Sequence, residues 1–455
     1  MPRWVPHEYQ KKAIRFLLER DYGGLFQEPG LGKTAETLAV LKRLKLRGKN
    51  KSALIIAPLR PCYLVWPKEI KKWGNFNSLS YCILHGKDKE LKPGYDIYII
   101  NPDGLDWLFN TALYRSRNWP FDILVVDEST KFKHTDTQRF KVLKPRLKKF
   151  SKRYILTGSP ASNGLKDLFG QMWVMDLGQT FGTEKGKFEK RYFYKGGFKG
   201  KVLKPYPASA DRIHRAIAPS VLQMSALDYL KMPEIIINDV FVELPPAARK
   251  AYNEMEEVLR VNFEAGRVTA ANLAVSMGKC RQIASGGIYL DAGGSHHVHQ
   301  AKTEAVEELM EELSGNSALV AYEFHHDLDR LLKLFGKNTP HISGGVSMRR
   351  TVQIEKEWNE GEHTVLLVQP QSASLGLNLQ GNCSCVIWHT LTYRYDDYDQ
   401  LIRRVWRQGQ KSKRVMVHRI IAKDTIDEVV SKTLESKGKG QQALFDSIQE
   451  YWREA

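Results

Sequence analysis

Gln27-Glu28-Pro29-Gly30-Leu31-Gly32-Lys33-Thr34 is the stretch that decides the fold. A short apolar run, Gly24-Leu25-Phe26, precedes it. Apolar residues at helical spacing follow it: Ala35, Leu38, Ala39, Leu41 and Leu44. Strand, glycine turn, Gly-Lys-Thr and helix together make a phosphate-binding loop. Glycines let the backbone wrap an oxyanion with no side chain in the way. The exposed amides and the helix N-terminus then point partial positive charge at the phosphates. Gly30, Leu31 and Gly32 form the cradle, Lys33 reaches the β- and γ-phosphates, and the Thr34 hydroxyl sits on Mg²⁺. Gly-x-Gly alone would fit many plain turns; the full string between strand and helix is specific. One position departs from the general signature: Gln27 stands where an early glycine is expected.

The rest of the chain bounds what such a loop serves. With 455 residues the chain exceeds one compact core and suits two domains with insertions. No apolar run approaches the length of a membrane span. Met1-Pro2-Arg3-Trp4 lacks a signal-peptide core, so a cytoplasmic location is expected. Five cysteines (Cys62, Cys82, Cys280, Cys383, Cys385) form no disulfide-rich framework. Cys383-x-Cys385 leads straight into an apolar strand, so buried thiols fit better than a metal site. His296-His297-Val298-His299 follows Gly293-Gly294 and reads as a solvated turn. Lys plus Arg number 69 against 51 Asp plus Glu, a net charge of +18. That excess attracts polyanions and favours nucleic acid as the partner. Many of these charges are solvated helix faces, so the bulk number locates no site.

Apolar strands at Ala53–Ala57, Asp96–Ile100, Ile123–Val126 and Arg153–Thr157 alternate with helical segments. The pattern returns at Ala318–Tyr322, Thr364–Val368, Cys385–His389 and Val415–Ile420. Such alternation means parallel sheets covered on both faces. The stretch Phe181–Pro207, with Lys195-Gly196-Gly197-Phe198-Lys199-Gly200-Lys201, reads as an exposed basic loop; a plain surface loop and a nucleic-acid contact both fit it. Leu244–Arg281 reads as helical.

Two further constellations carry chemistry. Asp127-Glu128 ends the apolar run Ile123–Val126, and ligands of open α/β sheets bind at the carboxyl ends of strands. Adjacent carboxylates there can divide labour: Asp127 holds Mg²⁺, and Glu128 orients and deprotonates an attacking water. Alone, the pair could be a strand-end turn. Downstream, in Gln400-Leu401-Ile402-Arg403-Arg404-Val405-Trp406-Arg407-Gln408-Gly409-Gln410, Arg404 and Arg407 lie three apart and on a helix would share a face. They suit a γ-phosphate in the transition state; a solvated or nucleic-acid-contacting basic face is the plainer alternative, and Arg403 fits it.

These elements, in this order, resemble the superfamily-two helicases and, within them, the Swi/Snf-type DNA translocases. The resemblance covers about residues 5 to 435. It maps the glutamine motif to Tyr9-Gln10, motif I to Gln27–Thr34 and motif Ia to Ile55–Arg60. Motif II is Asp127–Lys133 and motif III Leu156-Thr157-Gly158-Ser159-Pro160, with Asn163-Gly164-Leu165 after it. Motif V spans Ser372–Leu379 and motif VI Gln400–Gln410. The segments Leu230–Glu234, Gly376–Gln380 and Leu401–Gln410, with Trp406, look like the compact stand-alone helicases of bacteriophages and prophages, which would put the protein in a bacterial host's cytoplasm.

The resemblance implies two tandem RecA-like parallel-sheet lobes, an α/β fold, with helical insertions between them. Expected boundaries are 1–178 for lobe one, 179–298 for insertions and linker, and 299–455 for lobe two with a C-terminal helix. It implies ATP and Mg²⁺ as cofactors, with Tyr9 and Gln10 reading adenine and Gly376 added to the nucleotide site. Implied contacts to double-stranded or forked DNA are Arg60, Asn101, Thr157, Gly158 and Ser372, largely independent of sequence. The protein is expected to act as a monomer. An RNA-directed helicase and a nucleotide-switched binding protein with little turnover stay open as alternatives. Departures from the family pattern are Thr130 where motif II has His, Gln27 where motif I has Asp, and Ala373-Ser374 where motif V often has Gly-Gly. The first puts the relay from motif II to motif III in question.

Overall fold

A computed structural model of the chain describes residues 1–46, 48, 52–116, 118–158, 160–161, 164–196, 202–230, 232–264, 270–373 and 376–435. The chain divides into two units, Met1–Lys231 and Met232–Ala455.

Strands β1 (Tyr22–Gln27), β2 (Ser52–Ile56), β3 (Tyr81–Ile83), β4 (Ile97–Ile100), β5 (Phe121–Asp127) and β6 (Lys152–Thr157) belong to the first unit. A hairpin of β7 (Phe193–Gly196) and β8 (Val202–Pro205) follows, then β9 (Val221–Met224). The main sheet is parallel throughout, in the order β3-β4-β2-β5-β6-β1-β9. Its strands are apolar on both faces because helices cover both: Leu54, Ile56, Tyr98, Ile100, Leu124 and Val126 are buried on one face, and Ile55, Ile99 and Val125 on the other. The order places β1, β5 and β6 side by side. Their carboxyl ends therefore carry the glycine loop, Asp127-Glu128 and Thr157 as neighbours.

The second unit holds β10 (Glu234–Val242), a small antiparallel pair of β11 (Gly287–Tyr289) and β12 (Ser295–His297), then β13 (Ala318–Ala321), β14 (His341–Ile342), β15 (Val365–Val368), β16 (Cys385–Trp388) and β17 (Arg414–Ala422). Its parallel sheet runs β10-β17-β16-β13-β15-β14. Val320, Leu367, Ile387 and Ile420 form its core. Among the described residues no helix is long and apolar enough to cross a membrane.

Three differences from the sequence expectations have physical causes. The stretch read as insertions and linker is shared out: β9 extends the first sheet and β10 the second, so the division falls at Lys231/Met232. Phe181–Pro207 is not an exposed loop. It contains the helix Lys185–Tyr192 and the β7–β8 hairpin, and Phe181, Phe188, Tyr192 and Phe193 are buried in the first core; Phe188 and Tyr192, four apart, share one helix face. Residues 197–201 of the basic run lie outside the described residues, as do Ser159, Asn163 and Ser374. His299 is buried with Nε2 against the Ile283 carbonyl, whereas His296 and His297 are solvated on β12.

One buried ion pair braces the second unit. Lys302 on the helix Ala301–Glu312 bonds Asp427, which also accepts from the Ala422 amide. Both side chains are out of water. Removing one partner leaves a charge buried and unpaired, a loss of about 3–5 kcal/mol. Lys302→Met is expected to show that loss in chemical denaturation, and Lys302→Met/Asp427→Leu to recover part of it.

Candidate nucleotide site

The glycine loop closes in the backbone geometry that only glycine adopts freely: Gly30 and Gly32 have φ of 96° and 98°. Gly32 has a second constraint. A Cβ there would lie 2.5 Å from the Gln10 amide nitrogen. Gln10 itself, buried on the helix Glu8–Leu18, donates to the Leu31 carbonyl at 2.9 Å and accepts from the His7 amide at 3.0 Å. The glutamine thus fastens the first helix to the phosphate loop. Tyr9 is buried between the rings of His7 and Tyr229, and burial with nearby Glu36 pushes its phenol up to about 12. Lys33 opens the helix Lys33–Leu46, and its ammonium donates to the carbonyls of Gln27 at 2.5 Å and Glu28 at 3.4 Å. Thr34 follows in the first helical turn. Glu28 reaches the other way and accepts from the Ala226 amide at 2.8 Å.

Asp127 ends β5. Its Oδ2 accepts from the Trp66 indole N–H at 3.0 Å. Burial first, then the neighbouring Glu128 charge, raise its pKa to about 6. Two carboxylates crowded at one strand end repel unless a cation joins them. The donor set therefore fits a divalent ion shared with a triphosphate, held by Asp127 and Thr34. Glu128 sits in the left-handed region (φ 55°, ψ 62°), which is uncommon for a residue with a Cβ. Strained backbone of this kind clusters at functional sites. Its Oε1 accepts from Thr157 Oγ1 at 2.9 Å and Thr130 Oγ1 at 3.1 Å. So Thr130, in place of His, holds Glu128, and the link from motif II to motif III runs directly through Thr157. A Cβ on Gly158 would stand 3.1 Å from Pro29, which brings motif III against the phosphate loop.

Two residues that hold this site carried no motif. Trp66 is fully buried on the helix Trp66–Lys72 and aims its N–H at Asp127. Gln171 is buried on the helix Leu168–Asp176, accepts from Ser129 Oγ at 2.7 Å and donates to the Pro160 carbonyl at 2.6 Å. It is a second clamp between motifs II and III. A lone amide in the otherwise apolar run Leu168–Met175 was its one sequence signal. Trp66→Phe keeps the packing and removes the donor. Losing a hydrogen bond to a charged group costs about 1.5–3 kcal/mol, so kcat for ATP is expected to fall roughly tenfold or more, with ATP affinity little changed. Parallel turnover and nucleotide-binding titrations check this.

Arg60 and Asn101 lie just past the carboxyl ends of β2 and β4. The Arg60 side chain is half-buried, its buried Nη1 has no hydrogen-bond partner among the described residues, and burial lowers its pKa. In the second unit Ser372 lies on the short helix Pro370–Ala373 after β15. Gly376 has φ 83°. Arg404 Nη1 donates to the Leu377 carbonyl at 3.4 Å, and the Leu379 amide donates to the Arg404 carbonyl at 3.2 Å, so motifs V and VI pack together. Arg403 pairs with Asp399 at 2.8 Å beneath Trp406.

The shared helix face expected for Arg404 and Arg407 does not form. The helix Tyr395–Val405 stops before Arg407, with Trp406 extended (ψ 90°). Trp406 donates its indole N–H to the Pro233 carbonyl, and Gln410 caps the helix end by donating to the carbonyls of Val405 and Cys383. Gly409, at φ 87°, makes the return possible. Arg404 is held by a helix and Arg407 by the turn that ends it.

Comparison with known proteins agrees with this layout. The SNF2-related domain family matches residues 9–286, and the helicase conserved C-terminal domain family matches residues 301–409. The p41 protein of Acyrthosiphon pisum secondary endosymbiont phage 1 is 32% identical over 467 residues, spanning 98% of this chain and 99% of its own. An ATP-dependent helicase of Mycoplasma genitalium is 26% identical over 94% of this chain, and a DNA annealing helicase and endonuclease of Bos taurus 24% identical over 95%. This chain spans 41% and 40% of those two relatives. A solved SWI2/SNF2 ATPase core of Sulfolobus solfataricus in complex with dsDNA is 22% identical, covers 98% of this chain and 94% of its own, and has a TM-score of 0.45. The chain belongs to the SNF2 family of ATP-dependent helicases and translocases.

Proposed function

We propose that the protein is a DNA-stimulated ATPase that moves along, or remodels, double-stranded or forked DNA. One observation carries the reading: a phosphate loop, a magnesium-fitting Asp127 and a Glu128 held by Thr157 stand on three adjacent strand ends. That set does hydrolysis. The net charge of +18 and the half-buried Arg60, just past the neighbouring end of β2, support a polyanionic track. The Bos taurus relative, described as a DNA annealing helicase, supports DNA as that track. The phage relative supports action in a bacterial cytoplasm.

In this mechanism Lys33 leaves the carbonyls of Gln27 and Glu28 and turns to the β- and γ-phosphates. Thr34 and Asp127 would hold Mg²⁺, which supplies charge neutralisation at the phosphates. Glu128 takes the proton of the attacking water, oriented by Thr157 and Thr130. Arg404 and Arg407 stabilise the transferring phosphoryl group. Thr157 is fully buried and held on Glu128, so DNA would raise turnover by acting on it through the neighbouring, more exposed Gly158.

Displacement of a third strand from a DNA triplex tests the reading. ATP-dependent displacement that is lost in Glu128→Gln is expected. Full ATP turnover with no displacement on any duplex would contradict movement.

A further inference from the structure

A cavity of ≈ 550 Å³ opens on the first unit away from the nucleotide site. Trp119 and Lys149, which line it, precede the starts of β5 and β6, whereas Asp127 and Thr157 end them. A strand of that length puts the two places about 20 Å apart. Its volume lies in the range that takes a small ligand.

The lining has an unusual chemistry. Phe109 and Trp119 stack at 5.9 Å and 11°, with Lys149 over Trp119 at 4.9 Å and Arg146 over Phe109 at 5.7 Å. Arg115 stands beside them, and the Tyr114 ring is 81% exposed. Among the described residues no carboxylate lines the cavity, and Arg115, Arg146 and Lys149 have no acidic partner. Lys149 and Arg146 lie over ring faces rather than against Asp or Glu, and with Arg115 on the same concavity their uncompensated charges await an anion. One open ring at the rim awaits a planar group. The wall is built on a π-helical turn, Leu108–Ala112, a geometry that recurs at functional sites.

We propose that this cavity is a second site for a nucleoside phosphate, with the base on Tyr114 and the phosphate among Arg115, Arg146 and Lys149. Stacked rings beside phosphate-binding cations are how unpaired strands are held without sequence preference, so an unpaired strand is the source the geometry favours. A free nucleotide shares the chemistry. The inference goes beyond the motor reading and uses none of its residues.

The test uses the full chain without ATP. Binding of a fluorescein-labelled oligothymidylate is followed by anisotropy across a salt series, and uptake of labelled AMP by the original chain and by each variant is measured by dialysis. Tyr114→Ala is expected to weaken binding roughly tenfold at unchanged charge, while Tyr114→Phe binds like the original chain. Arg115→Ala/Lys149→Ala is expected to lower the slope of log affinity against log salt by about 1.4. Loss confined to the oligothymidylate assigns the site to a strand; loss of AMP uptake assigns it to free nucleotide. Thermal melting confirms that each variant folds. Oligothymidylate and AMP binding within twofold of the original chain in both variants would overturn the proposal. So would an equal loss by Tyr114→Ala and Tyr114→Phe. Duplex-stimulated ATP turnover is read separately, and its failure would remove the motor reading without touching this result.

Discussion

Lys33→Ala is expected to lower ATP turnover by roughly 10²–10³ or more, the cost of losing one preorganised positive group at a transferring phosphoryl. The ammonium lies within reach of the whole loop, bonded to the carbonyls of Gln27 and Glu28. Alanine removes the phosphate contact and also leaves those carbonyls without this donor. Both effects fall on the loop, and the buried core of the Lys33–Leu46 helix (Leu38, Val40, Leu41, Leu44) is untouched. The variant should therefore melt close to the original chain while turning over almost no ATP. A variant that keeps more than a tenth of the rate would remove Lys33 from the chemistry.

Arg404→Ala should lower kcat by roughly 10³–10⁵, the range for an arginine acting on a phosphoryl transition state, and leave nucleotide binding largely intact. The adjacent residue is the control. Arg403 is already spent on Asp399 and on the face of Trp406, so Arg403→Ala should cost stability of the helix end and little turnover. Equal kinetic losses for both variants would mean that the helix end, not the Arg404 guanidinium, is what matters. Arg407, on the turn rather than the helix, should show a smaller loss than Arg404, since its position depends on Gly409 and the Gln410 cap.

The phosphate loop, the Asp127-Glu128 pair and the doubly covered parallel sheets were legible in the sequence because each is local. A glycine turn between strand and helix, or an acidic pair after Val125-Val126, states its own geometry. What stayed hidden is non-local. Trp66 meets Asp127 across 61 positions, and Gln171 meets Ser129 across 42; neither pairing leaves a periodic trace. β9 and β10 join sheets whose other strands lie far along the chain, and the alternating exposure of the edge strand β10 hides it among helical and loop patterns. A helix carrying Arg404 was legible, but its stop at Val405 was not, because Gln410 caps it from five residues beyond. Thr130 looked like a gap in the relay between motifs II and III. The hydroxyl that fills it belongs to Thr157, one strand away.

Steady-state ATP hydrolysis by the full chain, compared across duplex DNA, forked DNA, single-stranded DNA and RNA at one fixed salt concentration, tests the central claim most directly. Duplex or forked DNA should raise the rate well above that of the chain alone, and RNA should not. Stimulation by RNA with none by either DNA would contradict the account.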